Sequence, residues 1–249
     1  MYYCLLYYEN DYLYRLTLIK YIATITLRDH MVSYCEVMLM KETFFRLSEQ
    51  KQQNLLDASI KEFSQYSYES ASINRIIAIA NISKGGLFKY IENKRDLYLY
   101  TIEQVLTEVV EYQCEMIDYS SSCYFERLKS LIRSGFEFYK KDTDKYKMEF
   151  LAYTDFSSPC YNDVIQIRQD LIMRYQSRML ENIEWDKYIY TKDEILKVSE
   201  YMIGGYNIRF ASNMKEINNI TELEKRTFME LELIFKVIKT GVMKEVEND

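Results

Sequence analysis

A single proline, Pro159, interrupts the 249 residues of this chain, and only six glycines accompany it. Proline removes a backbone donor and clashes with the preceding turn, and glycine costs a helix interior about 1 kcal/mol, so a chain this poor in both is expected to be all-α. With 48% apolar residues it can fill a real core, and its length allows one large domain or two smaller ones. The 25 tyrosines and 12 methionines are abundant. An AT-rich coding sequence and a helical core account for them in one reading. A pocket for greasy or aromatic ligands accounts for them in the other.

The net charge of −6 is unevenly spread. Residues 40–100 carry a balance of +2, whereas residues 101–249 carry −7. A slightly basic module beside an acidic body fits a DNA reader with a regulatory body. Five cysteines, Cys4, Cys35, Cys114, Cys123 and Cys160, are odd in number and lack C-x-x-C spacing, which points to reduced thiols in the cytoplasm. His30 is the only histidine, so no His-dependent triad or His-rich metal site is expected in the body. Without a phosphate loop, nucleophile elbow or metal spacing, no catalytic residue, metal or cofactor is assigned. No uncharged apolar run approaches the ~18 residues of a membrane span.

Eight tyrosines crowd the first 39 residues, and the apolar stretch from Leu16 to Leu27 is broken by Lys20. It lacks the basic start and small-residue cleavage site of a secretory signal. Met38 and Met40 stand just ahead of the first convincing helix, so residues 1–39 are read as an extension arising from a mis-set start site. An extra helix packed on the body or a membrane-touching arm are the alternatives.

From Ser48 the pattern is orderly. Leu56, Ile60 and Phe63 mark one face of a first helix. Ser72 is a suitable N-cap for a second, whose Ile73, Ile76, Ile77 and Ala80 share a face. Asn81 suits the turn because it tolerates positive φ. Ser83 caps a third helix, in which Leu87 and Ile91 point inward. A long fourth helix follows with Tyr98, Ile102, Val105, Val109, Tyr112 and Met116 in one stripe. Further helices are expected at about 124–141, 144–156, 160–183, 191–213 and 221–244. Ile195, Val198, Met202 and Tyr206 line the next-to-last, and Phe228, Leu231, Phe235, Ile238 and Val242 the last.

Residues 72–96 carry the functional signal. Two short helices joined by a three-residue turn suit the DNA major groove, which admits one α-helix. Gly85 and Gly86 weaken the exposed face of the third helix, which suggests close backbone approach to a groove wall or phosphate; a merely frayed helix is the bland alternative. Lys84, Lys89 and Lys94 are candidate phosphate or base contacts, Tyr90 offers a hydroxyl, and Ser72 and Ser83 offer helix N-termini. A solvated surface charge is the bland reading of any one lysine, less so of the group.

These residues resemble the DNA-binding domain of the tetracycline-repressor (TetR/AcrR) family of bacterial transcription regulators. The match runs through Ser72-Ile73, Ile77-Ala78, Ala80-Asn81-Ile82-Ser83, Lys84-Gly85-Gly86-Leu87-Phe88-Lys89-Tyr90 and Asn93-Lys94-Arg95-Asp96-Leu97. The resemblance makes residues 84–90 the recognition helix, with Ser72 and Lys94 on the DNA backbone. Gly86 stands where the family often has Thr or Ser, and Phe88 where it often has Tyr, so two hydroxyl contacts are missing. It implies a three-helix helix-turn-helix DNA-binding domain at 40–96 and a helical ligand-binding and dimerisation domain at 97–249. It also implies a homodimer joined through the last two helices, a double-stranded DNA operator that is nearly palindromic, and a small-molecule effector. Tyr112, Phe136, Phe150, Tyr153, Met202 and Tyr206 are the candidate pocket lining, each also explicable as ordinary core. A cytoplasmic, nucleoid-associated, ligand-responsive repressor is the expected function. A helix-turn-helix protein acting mainly through a protein partner is the alternative.

Overall fold

The computed structural model describes residues 39–214 and 220–242, with side chains described except at 175–177, 206–214 and 242. The expectations for the 1–39 extension, Cys4, Cys35 and His30 fall on residues 1–38, outside the described residues. So does the side chain of Tyr206. Among the described residues every regular element is helical. They are α1 (Glu42–Phe45), α2 (Glu49–Phe63), α3 (Ile73–Ile79), α4 (Lys84–Leu87), α5 (Lys94–Met116), α6 (Tyr124–Lys141), α7 (Thr143–Thr154), α8 (Tyr161–Leu180), α9 (Lys192–Met214) and α10 (Ile220–Val242). One 3₁₀ turn, Trp185–Lys187, precedes α9. The five expected helices after α5 all appear, with ends moved by a few residues at most.

Local chemistry sets the breaks. Asn93 caps α5 by accepting from the Asp96 N–H at 3.1 Å. Asp142 ends α6 and caps α7, accepting from the Lys145 N–H at 3.0 Å. Pro159 lies in the loop before α8.

α5 is the central post. It packs against α2, α6, α7 and α8, so it is buried on more than one side. The single expected stripe is too narrow: Leu97, Leu99, Leu106, Val110 and Cys114 are also buried, while Tyr112 is half-buried and Met116 is half-exposed at its far end. One continuous core runs from Met40 through α2–α5 to Leu171 on α8. A second core gathers Tyr124, Phe125, Leu128, Ile183, Tyr188, Ile195, Leu231 and Phe235.

Two other registers differ from expectation, on α2 and α9, while that of α10 agrees. On α2 the buried line passes through Leu55, Ala58 and Ser59 beside Ile60 and Phe63, with Leu56 only half-buried. On α9 the inward line is Ile195–Ser199–Met202, and Val198 is 44% exposed. On α10 the expected line faces the protein's own body through Phe228, Leu231, Phe235 and Ile238, while a second apolar line, Met229, Leu233 and Val237, is exposed at 67%, 65% and 64%.

A buried cation ties the body together. Arg127 on α6 is 1% exposed. Its guanidinium donates to the carbonyls of Tyr119 (3.1 Å), Ser121 (2.7 Å), Met179 (3.0 Å) and Glu181 (2.7 Å), with a longer bond to Arg178 (3.3 Å). It thereby satisfies the orphan carbonyls at the end of α8 and places positive charge at the negative end of that helix. Arg127→Lys is expected to lower unfolding stability by about 3 kcal/mol, because one ammonium cannot reach carbonyls arranged around a planar fork. Urea denaturation followed by circular dichroism checks this.

Candidate nucleic-acid interface

The N-terminal helices are organised by one buried carboxylate. Glu62, 3% exposed at the end of α2, accepts the Ser72 N–H at 2.6 Å and a forked pair of bonds from Arg75 at 2.6–2.9 Å. Arg75 also donates to Ser70 O at 3.0 Å and lies 4.2 Å from the centre of the Tyr66 ring. The Glu62 bond holds its guanidinium further into the charged form. Ser72 does occupy the N-cap of α3, but its hydroxyl makes no capping bond. Glu62 does the organising that the hydroxyl was expected to do.

Asn81 closes α3 with φ of 54°, in the left-handed region that non-glycine residues seldom enter. The Ile82 N–H reaches back to Ile77 O at 3.1 Å, which satisfies a terminal carbonyl and reverses the chain. Ser83 then caps α4, its hydroxyl accepting the Gly86 N–H at 3.0 Å.

α4 is shorter than the helix expected over 84–90. It is α-helical only over Lys84–Leu87. Beyond Leu87 the turns tighten: Lys89 N–H bonds Gly86 O at 3.2 Å and Tyr90 N–H bonds Leu87 O at 2.8 Å, both three residues back. Two glycines weaken the helix, and the tighter path drops Ile91 into the core. Leu87 and Ile91 are both wholly buried, as expected. Between them Phe88 and Lys89 face outward, while the Tyr90 ring packs against the core.

On that outer face Lys84 and Lys89 are exposed, and neither ammonium has a partner among the described residues. Phe88 is 38% exposed and Tyr90 half-buried. The two glycines differ. A Cβ at Gly86 would lie 3.1 Å from the Ser83 hydroxyl, so the cap explains that glycine internally. A Cβ at Gly85 would meet nothing within 4 Å. Nothing among the described residues requires Gly85.

Lys94 is placed differently from the other two lysines. Its ammonium donates to the carbonyls of Tyr68 (2.7 Å), Ala71 (3.2 Å) and Glu69 (3.3 Å) and sits 4.6 Å from the Tyr68 ring centre. An ammonium has three donors, and these carbonyls occupy them. The geometry makes Lys94 a clamp on the loop before α3. Next to it, Arg95 pairs with Asp163 of α8 at 2.7 Å. The hydroxyl of Tyr68 interacts with the buried thiol of Cys160; burial, then that thiol, pushes it up to about 12.

Residues 41–44 also build the site, although the sequence reading gave them no role. Lys41 N–H donates to Tyr90 O at 2.8 Å. Its ammonium donates to Phe88 O at 3.0 Å and pairs with Glu92 at 2.8 Å. The Thr43 hydroxyl donates to Lys89 O. Phe44, 1% exposed, sets its ring against Tyr90 and Tyr100, with centroids 6.4 and 5.4 Å away. Bonds linking positions some 46 residues apart leave no local pattern to read.

The proposed pocket residues are dispersed. Tyr112 packs with the first core against Phe138, and Met202 with the second. Phe136 and Phe150 meet in a third cluster with Leu223 and Phe228. Tyr153 lies under the Arg168 guanidinium at 4.5 Å, beside the largely buried Glu149, whose carboxyl burial pushes up. Only Phe136 and Phe150 are brought together among the described side chains. A groove of about 440 Å³ opens elsewhere, between α6 and α10, lined by Phe125, Lys129, Glu232, Phe235 and Lys239 among others.

Residues 55–101 match the model of the family described as bacterial regulatory proteins, tetR family. The chain is 23% identical over 128 residues to the uncharacterized HTH-type transcriptional regulator YhgD of Bacillus subtilis (strain 168). That alignment covers 51% of this chain and 66% of the relative. In fold it is similar to a TetR family transcriptional regulator from Chloroflexus aurantiacus J-10-FL (TM-score 0.57, 23% identity, 83% of this chain and 99% of the other). It is also similar to the fatty acid degradation regulator FadR from Bacillus halodurans (TM-score 0.56, 18% identity, 72% and 96% covered).

The glycine contrast is testable by stability alone. Gly85→Ala is expected to raise unfolding stability by up to about 1 kcal/mol, since it adds helix propensity in open space. Gly86→Ala, forced against the Ser83 cap, is expected to gain less or to destabilise. Parallel urea titrations of the two variants distinguish them.

Proposed function

Because the chain belongs to the TetR family, as a DNA-binding transcription regulator, we propose that it acts as a ligand-responsive repressor, binding a near-palindromic operator as a homodimer. The observation that carries this reading is the outer face of α4. Two lysines without a partner among the described residues flank a glycine that those residues do not require. Lys84 and Lys89 supply charge for phosphates or a bidentate partner for guanine, and Gly85 lets the backbone lie close to the groove. The same reading assigns Ser72, Ser83, Gly86, Phe88 and Tyr90 to the edge of this surface. Lys94 contributes by fixing the loop before α3.

The proposed division is a reader at 40–96 and a regulatory body at 97–249, with α5 beginning in one and forming the post of the other. Support for a homodimer comes from the outward face of α10, where Met229, Leu233 and Val237 form an apolar line, and from Val198 and Tyr201 on α9. A two-fold pair would set two reading helices about one DNA turn apart, roughly 34–36 Å.

An apolar effector fits the aromatic body, and FadR of Bacillus halodurans, a fold neighbour, is described as a regulator of fatty acid degradation. Such a ligand releases DNA only by binding the non-DNA state more tightly. The Arg95–Asp163 pair and the Tyr68–Cys160 contact join the reader to α8, which gives a shift of α8 a mechanical route to the reader. A cytoplasmic, nucleoid-associated location follows from the same reading. Among the described residues no helix is long and apolar enough to cross a membrane.

The test is a duplex selected by the wild-type protein from a random-sequence pool. Lys89→Ala and Lys84→Ala are each expected to weaken binding, by about 1–3 kcal/mol where a base is lost, or with a salt slope shallower by about 1 where a phosphate is lost. Unchanged affinity and slope in both variants would contradict the reading.

A further inference from the structure

α4 has a problem at its C-terminal end that the helix cannot solve itself. A helix leaves its last carbonyls without intrahelical partners, and one of four residues, two of them glycine, has almost no stability of its own. The burial of Leu87 and Ile91 fixes where this segment sits. It leaves open how the segment is rotated and how its outer edge is held. The carbonyls of Phe88, Lys89 and Tyr90 follow the helix in sequence, and each accepts a bond from residues 41–43.

We infer that Lys41 and Thr43 are positioning residues for DNA reading: together with the Lys41 N–H they grip three consecutive carbonyls and set the angle at which Lys84 and Lys89 are presented. The inference rests on the DNA-binding reading above. These residues lie outside the span 55–101 that matches the family model. Thr43 holds the carbonyl of Lys89 itself, so rotation of the lysine stem is restrained at its own peptide. The Lys41 ammonium is shared between Phe88 O and Glu92, which keeps it on the protein and places a positive charge at the negative end of the turn. Phe44, buried between the Tyr90 and Tyr100 rings, anchors the segment from which both groups reach.

A positioning role differs measurably from a phosphate contact. A lysine on a phosphate releases counterions when the complex forms, so removing it makes the dependence of affinity on salt shallower; a lysine that only orients the helix leaves that slope alone. The same wild-type-selected duplex serves as probe for Lys41→Met, Thr43→Val and Thr43→Ser. Lys41→Met and Thr43→Val are expected to bind it about tenfold more weakly, with the wild-type salt slope, while Thr43→Ser, which keeps the hydroxyl, binds as wild type. Amide hydrogen exchange at residues 86–91 is expected to rise in Thr43→Val without any DNA present, with a fall in thermal midpoint of only about 2–4 °C. Wild-type affinity in both variants, or a shallower salt slope in Lys41→Met, overturns the positioning role. So does unchanged exchange in Thr43→Val. A wild-type protein that selects no duplex would instead overturn the DNA-binding reading, and the exchange measurement would still decide the grip.

Discussion

The proposed reading surface depends on a segment too short to hold itself. Four helical residues, half of them glycine, keep their shape because their surroundings fix them at three places. Leu87 and Ile91 bind the inner side to the core. Ser83 and the left-handed turn at Asn81 fix the beginning. Residues 41–43 take the carbonyls at the end. With the backbone held this way, the outer side is free to carry groups that do nothing for stability. Among the described residues Lys84, Gly85 and Lys89 are such groups, which supports the proposed contact with DNA.

Glu62 extends the same logic to the helix before. A carboxylate taken out of water must be fully satisfied or it destabilises the fold. Here Arg75 and the Ser72 N–H satisfy it, so α2 and the start of α3 become one unit. Lys94 then fastens the intervening loop to the first turn of α5. Because Arg95 reaches Asp163 from that same turn, the helix that supports the reader is also the helix on which the body rests. The ligand response proposed above would run through that helix.

Much of this was legible because it is local. Asn81 stood out as one of few residue types that accept positive φ, Ser83 as a cap, and Leu87 with Ile91 as inward pair; all three depend on neighbours within a few positions. What the sequence did not reveal is long-range. The partners of Lys94 are carbonyls some 25 residues away, and a lysine pattern cannot distinguish a clamp from a phosphate contact. The grip of residues 41–43 spans a still larger gap. In the body, helix positions followed from periodicity, but α5, surrounded by neighbours, is apolar on more than one side and defeats a one-stripe reading. The aromatic residues suggested as a pocket mostly separate into different core clusters, because bulky side chains fill any helical interior alike.

In the proposed function the outer face of α4 meets DNA, with the start of α3 at its edge and the other parts of the reader as support. Amide hydrogen exchange of the wild-type protein, with and without a duplex it has selected, tests this most directly. Protection on adding DNA is expected over residues 83–90 and at the start of α3, with the core amides of α5 unchanged. Protection appearing in the body alone, with residues 83–90 exchanging as before, would contradict it.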